Sequence, residues 1–136
     1  MKAKDVMTTN VKVTSPNEKL HKIAKIMDEE AVGSLPVAEN DRIIGMVTDR
    51  DIAIKGFSNL NSGTVRDVMT HEVYYCYEDQ DLKDVVESMG KFQVRRMPVL
   101  NKSKRLVGII SLSDLTKSEQ AWKETNDIVS QYYLAI

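Results

Sequence analysis

The stretch Ile43-Ile44-Gly45-Met46-Val47-Thr48-Asp49-Arg50-Asp51 decides how this chain is read. Its apolar residues around Gly45 read as a short buried strand. Thr48 stops that strand, and Asp51 follows three residues later, at the start of a short helix ending near Gly56. A threonine and an aspartate so spaced on a strand-to-helix turn put a hydroxyl and a carboxylate beside free helix N–H groups. Helix N-termini attract anions, phosphates included, and the carboxylate is suited to accept hydrogen bonds from a sugar diol. Thr-x-x-Asp is equally a variant of the capping box, in which the two side chains satisfy the helix's own orphan donors. One copy alone favours capping. The motif occurs twice.

Asp5-Val6-Met7-Thr8 returns unchanged as Asp67-Val68-Met69-Thr70, 62 residues on. The same offset takes Val11 to Val73, Leu20 to Leu82, Ile23 to Val85, Met27 to Met89 and Pro36-Val37 to Pro98-Val99. One inserted residue then makes it 63, taking Gly45 to Gly108, Thr48 to Ser111 and Asp51 to Asp114. A repeat of this kind governs the fold. With two copies, it is a tandem duplication and not a solenoid.

Each copy reads alike. Val11-Lys12-Val13 alternates as a short strand ended by Thr14-Ser15-Pro16. Leu20, Ile23, Ala24 and Met27 lie at i, i+3, i+4, i+7, the stripe of an amphipathic helix, and Leu82, Val85, Val86 and Met89 repeat it. Ser34-Leu35-Pro36-Val37-Ala38 is extended, its proline suggesting an edge or a bulge. Glu39-Asn40-Asp41-Arg42 is a turn, Ile43 to Val47 the returning strand, and 49–55 a helix closing at Gly56. The expected fold is α+β: two β-α-β-β-α repeats packed sheet to sheet with pseudo-two-fold symmetry, plus a C-terminal helical tail. Its expected parts are a first repeat at 1–58, a polar linker at 59–63, a second repeat at 64–118 and the tail at 119–136. In that tail Leu115, Trp122, Val129 and Ile136 are spaced by seven with Tyr132 and Tyr133 nearby. One apolar position per heptad does not make a coiled-coil seam. The tail docks on its own module or on a partner subunit.

The 136 residues carry 19 basic and 20 acidic side chains, a net charge of −1, which argues against a broad nucleic-acid footprint. Cys76 is the only cysteine, so neither an intramolecular disulfide nor a cysteine-based zinc site is available. His21 and His71 are not repeat equivalents and lack metal-ligand spacing. No apolar run approaches the ~18 residues of a membrane span. The N-terminus shows no apolar signal region, so the expected location is the cytoplasm. Neither a Gly-x-x-x-x-Gly-Lys loop nor a Gly-x-Gly-x-x-Gly fingerprint is present. Two histidines leave little material for a catalytic triad, so no catalytic residue is assigned. Met7 with Met69 and Met27 with Met89 fall at repeat core positions and read as filler.

The doubled Asp-Val-Met-Thr, the two Pro-Val segments and the Gly-x-x-[Thr/Ser]-x-x-Asp endings resemble a pair of cystathionine beta-synthase (CBS) domains, a Bateman module of the stand-alone type. Val94-Arg95-Arg96-Met97-Pro98-Val99 with Leu106 to Asp114 is close to the family's second repeat, and Thr48-Asp49-Arg50-Asp51-Ile52 is common in it. The resemblance covers residues 1 to about 118. It implies a regulatory module without catalysis, binding AMP, ADP, ATP or S-adenosylmethionine in clefts between the repeats, with no other cofactor. It implies that Asp51 and Asp114 hold ribose hydroxyls, that Thr48 and Ser111 meet ribose or phosphate, and that Ser34, Leu35, Pro36, Met97 and Pro98 line the adenine slot. Backbone groups near Thr14 would read the base edge. A homodimer is implied too, while the effector protein is left unnamed.

The residues support this independently. Arg95 and Arg96 offer guanidinium forks suited to phosphate, though strand alternation sends neighbours to opposite faces. Arg50, beside Asp49 in the first helical turn, opposes the helix dipole; a nearby phosphate would offset that, and pairing with Asp49 or solvent is the plainer account. The copies differ: the first has Val13-Thr14-Ser15-Pro16 where the second has Tyr75-Cys76-Tyr77-Glu78. That exchange removes a hydroxyl and adds bulk, so one complete site and one altered site are expected. The alternative function is an assembly module without ligand, acting through helical surfaces and the Trp122 and tyrosine tail.

Overall fold

A computed structural model describes residues 1–59 and 63–134. The middle of the expected linker and Ile136 therefore lie outside the described residues. In chain order the helices and strands are α1 (Ala3–Val6), α2 (Leu20–Glu30), β1 (Ser34–Glu39), β2 (Arg42–Thr48), α3 (Asp49–Lys55), α4 (Val65–Val68), β3 (Cys76–Tyr77), α5 (Leu82–Phe92), β4 (Arg96–Leu100), β5 (Leu106–Ser111) and α6 (Glu119–Val129). Short 3₁₀ turns cover Phe57–Asn59 and Leu112–Thr116, and a π-helical turn covers Ser130–Leu134. The architecture is mixed α+β with two small sheets and a C-terminal helix. Among the described residues no helix is long and apolar enough to cross a membrane.

The chain forms two compact units, Lys12–Val73 and Met1–Val11 joined by the chain from Tyr74 onward. We call these the first-copy and second-copy units. They are cut one segment out of phase with the repeats. In the second-copy unit Thr8 and Ile109 exchange backbone hydrogen bonds at 2.8 and 2.9 Å, and Ala3 N–H reaches Gln80 O at 2.9 Å. In the first-copy unit Thr70 and Met46 exchange them at 2.8 and 2.9 Å, and Val65 N–H reaches Glu18 O at 2.9 Å. Each Asp-Val-Met-Thr segment thus lies against the sheet of the copy it does not belong to in sequence. Gly45 and Gly108 make the close approach possible. A Cβ on Gly45 would stand 2.7 Å from Thr70 O, and one on Gly108 2.6 Å from Met7 Sδ.

In the first-copy unit β1 and β2 form an antiparallel hairpin, turning at Asn40 and Asp41 with φ of 54° and 63°. Two successive positive φ values match the right-handed twist of a hairpin, and asparagine and aspartate tolerate them. The α2 stripe buries Leu20, Ile23 and Met27 against Leu35, Val37 and Val47. Ala24, the fourth member of that stripe, is exposed. In α5 all four equivalents are buried, packed with Met97, Val99 and Ile110. Burying each such large side chain contributes roughly 1.5–3 kcal/mol. Both helices end at a residue in the left-handed region, Ala31 (φ 54°) and Gln93 (φ 56°). Val32 and Val94 then donate back to Met27 and Met89 carbonyls, which closes the C-terminus as a Schellman-type cap.

One expectation needs correction. Val11–Val13 is no strand; only Thr14 bridges to Val37, in parallel sense. Thr14 N–H bonds Pro36 O at 3.0 Å and Ala38 N–H bonds Thr14 O at 2.9 Å. The next bond upstream would need an N–H on Pro36, which proline lacks, so the ladder stops there. The proline reading holds for Pro36, since β1 is one of only two strands in its sheet and its pairing is irregular between Val37 and Ala38. β4, with Pro98, is central in the order β3-β4-β5, and the irregularity falls just beyond it between Val99 and Leu100. The segment after Asp114 is not one continuous helix. The 3₁₀ turn ends at Thr116, and Ser118 Oγ caps a new helix by accepting Ala121 N–H at 3.2 Å. That helix, α6, docks within its own unit and buries Ala121, Thr125 and Val129.

Candidate functional site

The two strand-to-helix turns carry the same construction. At the first, Thr48 N–H donates to Asp51 Oδ2 at 3.0 Å and Asp51 N–H donates to Thr48 Oγ1 at 3.0 Å. At the second, Ser111 N–H donates to Asp114 Oδ2 at 2.8 Å, and Ser111 Oγ lies 2.8 Å from Ser113 Oγ. Both motifs are capping boxes. Each leaves the aspartate a second oxygen, and in both units a lysine takes it: Lys55 Nζ at 3.2 Å from Asp51 Oδ1, Lys117 Nζ at 3.0 Å from Asp114 Oδ1. Sequence reasoning missed these lysines, because they sit four residues on in an α-helix and three on in a 3₁₀ turn and are not repeat equivalents. It missed Thr8 too, whose hydroxyl lies 3.4 Å from Asp114 Oδ1. Identity with Thr70 hid which turn Thr8 would face.

The hairpins set what stands beside each turn. Ser34 is paired with Thr48, and Arg96 with Ser111. Residues directly opposite in a sheet share a face, so Ser34 accompanies the first turn and Arg96 the second. The backbone repeats as well: Asp49 N–H bonds Gly33 O at 2.9 Å, and Leu112 N–H bonds Arg95 O at 3.1 Å. Leu35, Pro36, Met97 and Pro98 are buried beside these positions. Arg95 is exposed just before β4, Arg96 is half-buried within it, and neither has an ion pair among the described residues. Arg50 is exposed; its backbone N–H, and not its guanidinium, bonds Asp49 Oδ1 at 2.8 Å.

Thr14 is buried, with both backbone groups committed to Pro36 and Ala38 and its hydroxyl 3.5 Å from Ser15 O. Its counterpart Cys76 is buried, and burial pushes the thiol up to about 12. Tyr75 and Tyr77 flank it, their rings edge to face at 5.7 Å. Tyr133 donates to Val94 O, next to Arg95. Burial raises its hydroxyl pKa while the Arg95 guanidinium lowers it. Among the described residues no three His, Cys, Asp or Glu side chains gather as a metal ion needs.

The chain is 36% identical over 120 residues to the CBS domain-containing protein YhcV of Bacillus subtilis strain 168, covering 87% of this chain and 85% of that one. The crystal structure of Hypoxic Response Protein I with two coordinated zinc ions is similar at TM-score 0.77 and 34% identity, covering 86% of this chain and 98% of that one. The CBS domain pair of protein MJ0100, solved with 5′-methylthioadenosine and S-adenosyl-L-methionine, matches at TM-score 0.74 and 27% identity over 86% of this chain and 94% of that one. The CBS domain family itself matches over residues 3–55 and 65–120, one stretch for each sequence copy. With both copies matched over most of the chain, this protein belongs to the CBS domain family.

Proposed function

We propose that this protein is a regulatory module that senses an adenosine-containing ligand, AMP, ADP, ATP or S-adenosylmethionine, and performs no chemistry on it. One observation carries the reading: both copies hold an aspartate by its own cap, at the end of matching hairpins, with the second carboxylate oxygen bound only by side chains, Lys55 in one and Lys117 and Thr8 in the other, that a ligand can displace. A carboxylate so fixed is pre-organised to accept both hydroxyls of a ribose, which lowers the cost of ordering it on binding. The MJ0100 relative, complexed with two adenosine compounds, supports the ligand class. Thr48 and Ser111 would meet ribose or phosphate. Thr14, Ser34, Leu35, Pro36, Met97 and Pro98 would form the surroundings of the base, and Asp49, Arg50, Arg95 and Arg96 the charged rim.

The protein would act in the cytoplasm as a homodimer that passes ligand occupancy to an effector protein. A ligand present at ~100 times its dissociation constant stabilises the native state by about 2.7 kcal/mol. The test is a melting-temperature panel with the four ligands. A rise of several degrees, lost in Asp51→Ala or Asp114→Ala, is expected; no rise with any of them at millimolar concentration refutes the reading. Exposed Ile54, Phe57, Phe92, Trp122 and Leu134 favour a second reading, assembly without ligand. Sedimentation of the unliganded protein as a tight dimer, with no melting response, would select it.

A further inference from the structure

The two turns share their caps but not their charge. Beside Asp51 stand Asp49, Arg50 and Lys55, so two carboxylates face two cations. Beside Asp114 stand Lys117, 3.0 Å away, and Arg96, which lies across the hairpin from the cap residue Ser111, so two cations accompany one carboxylate. The difference arises at equivalent positions: Gly33-Ser34 in one copy is Arg95-Arg96 in the other, and Asp49 is Leu112. The Asp49 carboxylate also lies over Gly33, with Oδ2 3.2 Å from where a Cβ would be. An anion is therefore met by a carboxylate in one unit where the other offers a guanidinium.

We propose that the two turns are tuned to different adenosine ligands: the Asp114 turn takes a phosphorylated one, and the Asp51 turn takes one without phosphate. This rests on the adenosine reading above. Arg96 is the discriminating residue. It is half-buried, shares a face with Ser111, and has no ion pair among the described residues, so its charge is uncommitted. Guanidinium forks match phosphate oxygens two at a time, and charge-assisted bonds of that kind are the strong ones. Ser34 offers a hydroxyl in its place.

ATP and 5′-methylthioadenosine are the probes, titrated calorimetrically into the whole protein. Arg96→Gln should weaken ATP about ten- to hundredfold and leave 5′-methylthioadenosine unchanged. Asp114→Asn, which keeps an oxygen for the Ser111 cap, should weaken ATP alone, and Asp51→Asn should weaken 5′-methylthioadenosine alone. Ser34→Arg should bring ATP binding to the first turn, seen as a second ATP site. Equal loss of both ligands in Asp51→Asn, or ATP affinity unmoved by Arg96→Gln but lowered by Arg50→Gln, overturns the partition and leaves the adenosine reading standing. If neither probe binds the wild type, the partition falls, and the four-ligand melting panel decides the adenosine reading separately.

Discussion

Thr48 and Asp51 hold each other twice, backbone N–H to carboxylate and backbone N–H to hydroxyl, both at 3.0 Å. The hydroxyl and one carboxylate oxygen are thus occupied within the turn itself. The cap uses one oxygen of Asp51, and Lys55 Nζ lies 3.2 Å from the other. Thr48→Ala removes the Oγ1 acceptor and should cost about 1 kcal/mol, within the usual range for an N-cap. That corresponds to a fall of roughly 3–5 °C in melting temperature for a chain of this size. Unchanged urea denaturation in this variant would show that the cap contributes nothing.

Gly45→Ala should be more damaging than Gly108→Ala. The new methyl at 45 meets a backbone oxygen, Thr70 O at 2.7 Å, which cannot move without breaking the Met46–Thr70 bridge. At 108 the nearest atom is the flexible Met7 thioether, with Thr8 O farther away at 3.1 Å. Overpacking of this kind costs about 1–3 kcal/mol. Chemical denaturation of the two variants gives the order, and the reverse order would contradict the packing described.

Gly90→Ala should release the end of the chain while sparing α5. The Tyr132 ring lies against Gly90, leaving an added Cβ only 2.3 to 2.9 Å from it. Tyr132 OH also donates to Glu87, and Gln93 Nε2 donates to Gly90 O at 2.8 Å and Tyr132 O at 3.3 Å. Alanine is itself the better helix former, so helical content should hold while the segment 130–134 becomes sensitive to protease. Wild-type resistance in the variant would mean that Tyr132 is not anchored there.

Cys76 should resist thiol reagents at pH 8 in the native protein and react once unfolded. Its thiol is raised from 9.0 to about 12 by burial, and the thiolate is the reactive form. The linkage has a definite sign. Above pH 9 the unfolded state releases this proton while the native state keeps it, so stability, fully present below pH 9, is lost as pH rises towards 12. Cys76→Ala should flatten that part of the stability profile. A slope equal to the wild type's would assign the alkaline loss to other groups.

The local features were legible in the sequence because they are decided over three to seven residues. The helical stripes from Leu20 and Leu82, the Asn40-Asp41 turn and the two capping boxes depend on spacing and residue type alone, and each forms where that spacing places it. The false strand at Val11–Val13 shows the limit. Its alternation was real, but a strand needs a partner, and the missing N–H of Pro36 removes it.

What the sequence determined by itself is the doubled α+β design and the two aspartate-capped turns. Tertiary structure alone decided which Asp-Val-Met-Thr segment lies on which sheet. Two identical segments have identical local preferences, and each sheet offers the same glycine, Gly45 or Gly108, so only longer-range contacts separate them. It also decided that α6 buries Ala121, Thr125 and Val129 on its own unit, and that Lys55 and Lys117 reach the same carboxylate oxygen from unequal spacings. An α-turn and a 3₁₀ turn carry side chains round at different rates, and that difference is invisible until the backbone is known.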